Sequence, residues 1–395
     1  HHTPGEILPK ASAVLNPKQK DCNYPFKDLS ACGVGFKLVQ AYCEKNNIPF
    51  NSIKPFFDLL AISIVADIVP LTGENRIFTY YGIKQLNTNP SVGLKSLISL
   101  MKKSNTIGVS DIGFFLAPRI NAAGRMSHAN KAVELLIEQD ISHAQNMSNE
   151  INNFNLNRRE IDQKITKEAS DKVPADNKST VVYSSQWHKG VIGIVASKLI
   201  EKHYRPTIVF TESNGLYTGS ARSIKGFNIY DAISSCTELV EQYGGHKYAA
   251  GLTVKKNNIH KFINKFENVV RRTIDDEMLM PIIDINMHIK FSEISTSFLK
   301  ILKQMGPFGP GNHEPIFITK NVKIDDMPKK VGKDNTHLKI SLIHEKFSFE
   351  AIGFNMANVF NKIIRHKKFD IVYQIKENNW NGLNSIQLLL KDIKF

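Results

Sequence analysis

The sequence predicts a multidomain α/β chain whose last third changes to a small antiparallel barrel or sandwich. Three observations predict it. Apolar strand-like runs alternate with helical stretches as far as Pro281. The segment from Asn130 to Asp171 contains neither proline nor glycine. Beyond Pro281, short segments of strand character take over. At 395 residues the chain also exceeds what one hydrophobic core usually serves.

Taken in order, ASAVLNP is a short extended segment ended by Pro17. LSACGVGFKLVQAYCEKNN opens as a glycine-bearing turn and becomes a helix, with Phe36, Val39, Ala41 and Tyr42 available for packing. FFDLLAISIVADIVPLTGENR is a buried helix arriving at Asp67, broken at Pro70 and turned at Gly73. IFTYYGIKQLN and GLKSLISLMKK are further helices. In the proline-free segment Ala144, Met147, Ile151, Phe154, Ile161 and Ile165 recur at three–four spacing. That is one long amphipathic helix, or two nearly collinear ones, forming an arm between domains.

A second α/β unit follows. TVVYSS, RPTIVFTE and LYTGSARSI are extended, GVIGIVASKLIEKH and NIYDAISSCTELVEQY are helical, and GGHKYAAGLTV turns into a strand. The strands after Pro281 are IIDINMHIKF, PIFITKNVKI, HLKISLIH, FSFEAIGF, FDIVYQIKE and SIQLLLKDIKF. The expected domains are 1–130, a connecting helix 131–172, 173–278 and 279–395.

Composition narrows the function class. An excess of 51 Lys and Arg over 37 Asp and Glu gives +14, which favours a polyanionic partner, nucleic acid before an anionic membrane. The sequence is also rich in Lys, Asn and Ile throughout, which raises the charge for a different reason, so the motifs must decide. No apolar run is long enough to cross a bilayer, and the polar opening residues read as no signal peptide. Four scattered cysteines without a C-x-x-C pair exclude a disulfide framework and a zinc site, and suit a reducing cytosol.

Several short stretches bear chemistry. Asp67 ends an apolar run, where a lone buried charge is costly, so it must reach a surface, a partner or a metal. PRINAAGRMS sets Arg119 and Arg125 around Asn121 and small residues, an arrangement that suits phosphate or a structural salt bridge. SQWHKGVIGIVASKL places His188, Lys189 and Gly190 at a helix start that favours an anion. TGSARS adds Ser220, Arg222 and Ser223. In GGHKYAAG, Gly244 and Gly245 free the backbone in a tight turn, His246 projects, and Ala249, Ala250 and Gly251 leave room for something to lie close. GPFGPGNHEPIF is a loop of tight turns entering a strand. Phe317, Phe347, Phe349 and Phe354 could stack single-stranded bases on a barrel, although most such phenylalanines belong to cores.

The ordered set resembles a known family. HHTPGEILPKASAVLNPK looks like the third motif of DHH phosphoesterases without its leading Asp, IVADIVPLTGENR resembles their fourth, and GGHKYAAG resembles the Gly-Gly-His motif of the DHH-associated domain. APRINAAGRMSHA, WHKGVIGIVASKL, GSARSI and GPFGPGNHEPIF point within that family to RecJ, with His313 standing where Pro is usual. The resemblance implies the remainder of a DHH α/β domain, a connecting helix, an α/β DHH-associated domain and a C-terminal OB-like barrel. It implies a 5′-to-3′ exonuclease of single-stranded DNA in repair and recombination, working by two-metal hydrolysis with Mn2+ or Mg2+.

Carried over by position, His1 and Asp67 are metal ligands and His2 faces the phosphate; all three are catalytic candidates. Arg119, Ser220 and Arg222 hold the 5′ end, while Arg125, His246, Gly244 and Gly245 line the same cleft, with His188 and Asn121 as weaker candidates. A single-strand-binding protein and a helicase are the partners implied, in the cytoplasm, for a monomer. His1 and His2 are then the end of Asp-His-His, and the chain is expected to lack the upstream aspartate motifs, to bind single-stranded DNA and to cleave it poorly alone. The competing expectations are a DHH phosphodiesterase of nanoRNA or cyclic dinucleotides, which usually lacks the strand-rich third region, and a catalytically silent DNA-binding relative.

Overall fold

The computed structural model describes residues 1–5, 7–101, 106–380 and 383–395. Glu6 of the opening stretch and Lys102 and Lys103 of GLKSLISLMKK lie outside the described residues. The chain forms two compact units. One comprises His1–Ser91, Lys103–Phe114 and Ile283–Phe395, and the other Val92–Lys102 and Phe115–Ile282.

The first unit holds the helices Ala31–Lys45, Phe57–Ala66 and Gly73–Thr88. Ser30 starts the first by accepting from the Gly33 amide at 3.2 Å. Its buried stripe is Gly33, Val34, Phe36 and Cys43. Val39, Ala41 and Tyr42 face solvent instead of packing. At about 100° per residue Ala41 and Tyr42 have rotated away from Phe36, and Cys43, seven residues on, returns to its side. The 11–17 stretch makes no strand, since no neighbouring strand offers it a ladder among the described residues; Gln19 Nε2 donates to its Val14 carbonyl at 2.9 Å.

Phe57–Ala66 buries Leu60, Ala61 and Ile64 completely and ends where expected, with Asp67 at its C-cap. The residues after Asp67 are fixed by their neighbours. Leu71 N donates to Pro310 O at 2.6 Å, and the buried Asn75 side chain donates to Asp28 O and Pro70 O at 2.7 and 3.0 Å. Arg76 Nη2 reaches the carbonyls of Gln304, Met305 and Gly306 at 3.2, 3.2 and 2.9 Å. These satisfy groups left open at the end of the helix Thr296–Met305. Leu71 and Arg76 of LTGENR therefore clamp the segment from Gln304 to Pro310. Arg76→Ala should destabilise this unit by about 1.5–3 kcal/mol, read as an earlier urea or thermal transition.

In the second unit, helices Val92–Ser99, Ala117–Met126, Asn130–Ile137 and Ile141–Asp171 precede a five-stranded sheet. The proline-free segment makes two helices because Asp140, extended, caps the second by accepting from His143 N at 2.7 Å. The sheet strands are β1 (Thr180–Ser184), β2 (Thr207–Ser213), β3 (Leu216–Arg222), β4 (Gln242–His246) and β5 (Ala249–Lys255), in the order β1-β2-β3-β5-β4. β1 and β2 run parallel across the helix Ile192–His203, and the other neighbours are antiparallel. The helix expected over NIYDAISSCTELVEQY is shorter, Ile229–Ser234 followed by one tight turn at Thr237–Leu239.

The barrel of the first unit comprises β6 (Met287–His288), β7 (Phe317–Val331), β8 (His337–His344), β9 (Phe347–Gly353), β10 (Phe369–Trp380) and β11 (Leu383–Lys394). β7 pairs with β8, β8 with β9, β9 in parallel with β11, β11 with β10, and β10 back with β7. Five strands thus close on themselves, with the helix Phe360–Arg365 between β9 and β10 and β6 added beside β7. This is an OB barrel, not a sandwich. Its interior holds Phe291, Phe317, Leu342, Leu388 and Tyr373, whose hydroxyl meets Thr319 Oγ1 at 2.7 Å. Phe317 is therefore core, and Phe347 and Phe349 pack against it. Phe354 alone of the four stays exposed, edge-on to His337.

Candidate active site

Within the first unit, the two ends of the 1–67 stretch meet. His1 Nδ1 lies 3.2 Å from Asp67 Oδ2, and the His1 and His2 rings stand 4.1 Å apart between centroids. Asn16 Nδ2 holds the His2 carbonyl at 2.8 Å. Asp67 is half exposed at the helix end, and the following Ile68 is held at φ +57°, a conformation that costs a β-branched residue heavily. The residues that follow are held by the bonds of Leu71, Asn75 and Arg76, which keep the chain in this conformation.

Imidazole nitrogen and carboxylate oxygen are donors of the type that Mn2+ accepts. Among the described residues, however, no group of three or more His, Cys, Asp or Glu could hold a metal ion. The pair supplies two ligands where a hard divalent cation takes about six.

In the second unit, strand register brings three sequence motifs into line. Ser220 pairs with Gly251, which pairs with Gly244; Arg222 pairs with Ala249, which pairs with His246. Directly paired residues share a face, and so do residues two apart. Ser220, Arg222, Gly244 and His246 therefore occupy one side of the sheet. Gly-Gly-His lies in strand β4 rather than in the tight turn expected, and the turn follows at Lys247 and Tyr248. A side chain placed on Gly244 or Gly251 would meet nothing within 4 Å, so this side of the sheet has a bare, open floor. His246 is exposed, its Nδ1 accepting from Tyr248 N at 3.2 Å.

The start of the helix Ile192–His203 approaches the same face. At Gly193 a Cβ would sit 3.0 Å from both Ser220 Oγ and Arg222 Nη2, so a side chain there would push both groups aside. Arg222 Nη1 donates to Ser220 Oγ and Ala221 O at 3.2 and 2.8 Å. Arg125, at the end of Ala117–Met126, donates to Gly190 O at 3.1 Å, and Gly190 N donates to His188 Nδ1 at 3.1 Å. Arg119 stacks on Phe115 at 3.4 Å and donates to Phe115 O and Asn152 Oδ1. Asn121, on the same helix, is exposed and makes no hydrogen bond through its side chain among the described residues.

Electrostatics ties these residues together. Burial and then the neighbouring Arg125 lower the Arg222 pKa. Burial followed by Arg159 and Arg158 lowers that of Arg119. Arg158 is lowered by burial and by Arg125 and Arg159, against the opposing pull of Asp162. Asp162 is 2% exposed and also takes Lys198, so it is already spent. Guanidiniums stay charged in proteins, and Arg119, Arg158 and Arg222, partly buried and next to further guanidiniums with one committed carboxylate among them, form a locally positive cluster of the kind that suits an anion.

Arg158, Arg159 and Gly193 were not legible as site residues. An Arg-Arg pair inside an amphipathic helix reads as a solvated face, and Gly193 reads as a weak helix residue. The only signal is their place next to motifs that bear arginine.

The chain is similar to known proteins over its whole length. A model of the RecJ OB domain matches residues 285–392 and one of the DHHA1 domain matches residues 176–272. The chain is 35% identical over 400 residues to the single-stranded-DNA-specific exonuclease RecJ of Bacillus subtilis, covering 99% of this chain and 50% of that protein. It thus spans about half the length of that curated relative. With the Haemophilus influenzae RecJ it is 31% identical over 417 residues, covering 100% of this chain and 72% of the relative. The crystal structure of Thermus thermophilus RecJ in complex with Mn2+ superposes with a TM-score of 0.87 at 26% identity, over 100% of this chain and 57% of that one. The Mg2+ complex gives 0.80 at 25% identity, over 94% and 57%. Among the described residues no helix is long and apolar enough to cross a membrane. By these similarities, and by the domains matched in order, the chain belongs to the RecJ family.

Proposed function

We propose that this chain is the part of a metal-dependent 5′-to-3′ exonuclease that holds the 5′ end of single-stranded DNA. The cluster of Arg119, Arg125, Arg158, Arg159 and Arg222 carries the reading, because a terminal phosphate is the ligand that relieves it. Arg222, Ser220 and Arg119 grip that phosphate; Arg125 and His188 border it. The floor at Gly244 and Gly251, with His246 at its edge, lets the strand lie against backbone. The name borne by the relatives, single-stranded-DNA-specific exonuclease, supports the substrate.

His1 and Asp67 supply two ligands of a divalent ion, Mn2+ or Mg2+, the ions in the Thermus thermophilus structures, and His2 faces the scissile phosphate. When bound, such ions supply an activated water and stabilise the charge of the leaving oxygen. The OB barrel, exposing Phe354 and many lysines, grips the strand. Single strands in a cell are exposed by unwinding and then coated. A helicase and a single-strand-binding protein are therefore its partners, and the protein works as a cytoplasmic monomer.

The test gives the whole exonuclease of which this chain is proposed to be a part a 3′-labelled single strand and a blunt duplex with Mn2+. Progressive shortening of the single strand alone, lost in Asp67→Ala, is the expected result. Immediate release of the label would mean attack from the 3′ end, and equal decay of the duplex would remove the strand preference; either overturns the reading.

A further inference from the structure

The first unit contains a second concave site that no role above uses. It is a cavity of about 670 Å3 between the helices Ala31–Lys45 and Gly73–Thr88 and the turns at 50–56. That volume falls within the roughly 300–1,000 Å3 of small-molecule sites. Ile77, Tyr81, Lys84 and Thr88 line it from one helix, at the spacing that puts residues on one face.

Tyr81 is half exposed, and its ring stacks on the buried Phe57 at 6.1 Å and 26°. One face is thus backed by core, which holds the ring as a fixed platform. Phe50, also exposed, meets Phe57 edge-on and carries Lys54 over its ring. Around these aromatics stand Lys37, Lys54 and Lys84. The one carboxylate in the lining, Glu74, is taken by Lys37 at 2.9 Å and by the Tyr24 hydroxyl at 2.6 Å. Lys54 and Lys84 make no ion pair among the described residues.

We propose that this cavity binds a nucleotide, its base on the Tyr81 and Phe50 rings and its phosphate between Lys54 and Lys84. A ring fixed on one face, with ammonium groups beside it, matches a ligand that joins a flat π-system to an anion. An acidic peptide would pair with the lysines but leave the platform unused. The ligand is either a free deoxynucleoside monophosphate or one residue of a strand.

The experiment is calorimetric titration of the whole chain carrying Arg222→Ala, which weakens the other phosphate site. Deoxyadenosine 5′-monophosphate, deoxyadenosine, inorganic phosphate and a 5′-hydroxyl oligodeoxyadenylate are the probes. Tyr81→Leu and Lys54→Ala, added singly, should each weaken the monophosphate at least roughly fivefold, with both halves of the ligand needed for full affinity. Lys84→Ala, on an exposed side chain, provides the same reading if Tyr81→Leu disturbs the fold. A tighter oligomer, equally sensitive to these changes, assigns the site to strand; a tighter monophosphate assigns it to free nucleotide. Failure of the monophosphate to bind, or insensitivity to Lys54→Ala and Lys84→Ala, overturns the proposal. So does inorganic phosphate binding as well as the nucleotide, or an acidic hexapeptide binding more tightly with no dependence on Tyr81.

Discussion

Arg222→Ala should weaken binding of a 5′-phosphorylated single strand by about 10- to 150-fold while leaving a 5′-hydroxyl strand nearly unaffected. The range corresponds to roughly 1.5–3 kcal/mol for a charge-assisted contact in a partly dry site. Arg222 has its Nη1 engaged by Ser220 and Ala221, which aims the guanidinium and leaves Nη2 towards the helix start at Gly193. The fold itself should not suffer. Removing the guanidinium gives up its packing and its bonds to Ser220 and Ala221 but also relieves a like-charge contact with Arg125, so melting should change little. Arg222→Lys should recover only part of the loss, since an ammonium is a point charge and not a fork. The pH dependence has a definite sign. Arginine does not titrate in the working range, whereas a phosphate monoester takes its second charge near about pH 6. Preference for the phosphorylated end should therefore grow as pH rises from 5 to 7 and vanish in Arg222→Ala. Equal loss for both strands, measured by fluorescence anisotropy, would assign Arg222 to the backbone and not to the end.

How much of this could be read in the sequence depended on whether a residue's role is local. The helix that ends at Asp67 was legible because its apolar run and the break at Pro70 are properties of adjacent residues. Five of the barrel strands were legible for the same reason, whereas of IIDINMHIKF only Met287–His288 pairs as strand. The short opening segment was not, because a strand exists only by its neighbour and ASAVLNP has none among the described residues. The arginines divide likewise. Arg119, Arg125 and Arg222 sit in recognisable motifs. Arg158 and Arg159 join them only through the packing of Ile141–Asp171 on Ala117–Met126, which no periodicity announces. Arg76 is the reverse case. It lies in a motif that reads as catalytic, yet its guanidinium holds three carbonyls more than 200 residues away along the chain.

Gly244 and Gly245 are neighbours in the sequence, and alanine at each should produce opposite failures. Gly245 has φ +147°, and a Cβ there would lie 2.3 Å from Ala249 O and 2.5 Å from Ala250 Cα. Both are backbone atoms in the adjoining strand, so nothing flexible can give way. Gly245→Ala should cost at least about 3 kcal/mol, from backbone strain and steric overlap together. Because β4 is the edge strand, the cheapest escape is for it to peel from β5. Hydrogen exchange should then quicken at the amides shared by Tyr243 and Leu252 before the domain melts. Gly244 lies one residue earlier and points to the other side. A methyl there meets no atom within 4 Å, so Gly244→Ala should melt like the parent, within about 0.5 kcal/mol. What the methyl occupies is the floor opposite Gly251, in the row that leads to Ser220. A strand lying against that floor would be lifted, and its affinity should fall while stability holds. If Gly244→Ala keeps both stability and single-strand affinity, the bare floor is unused, and the glycine pair serves only the turn of the sheet edge.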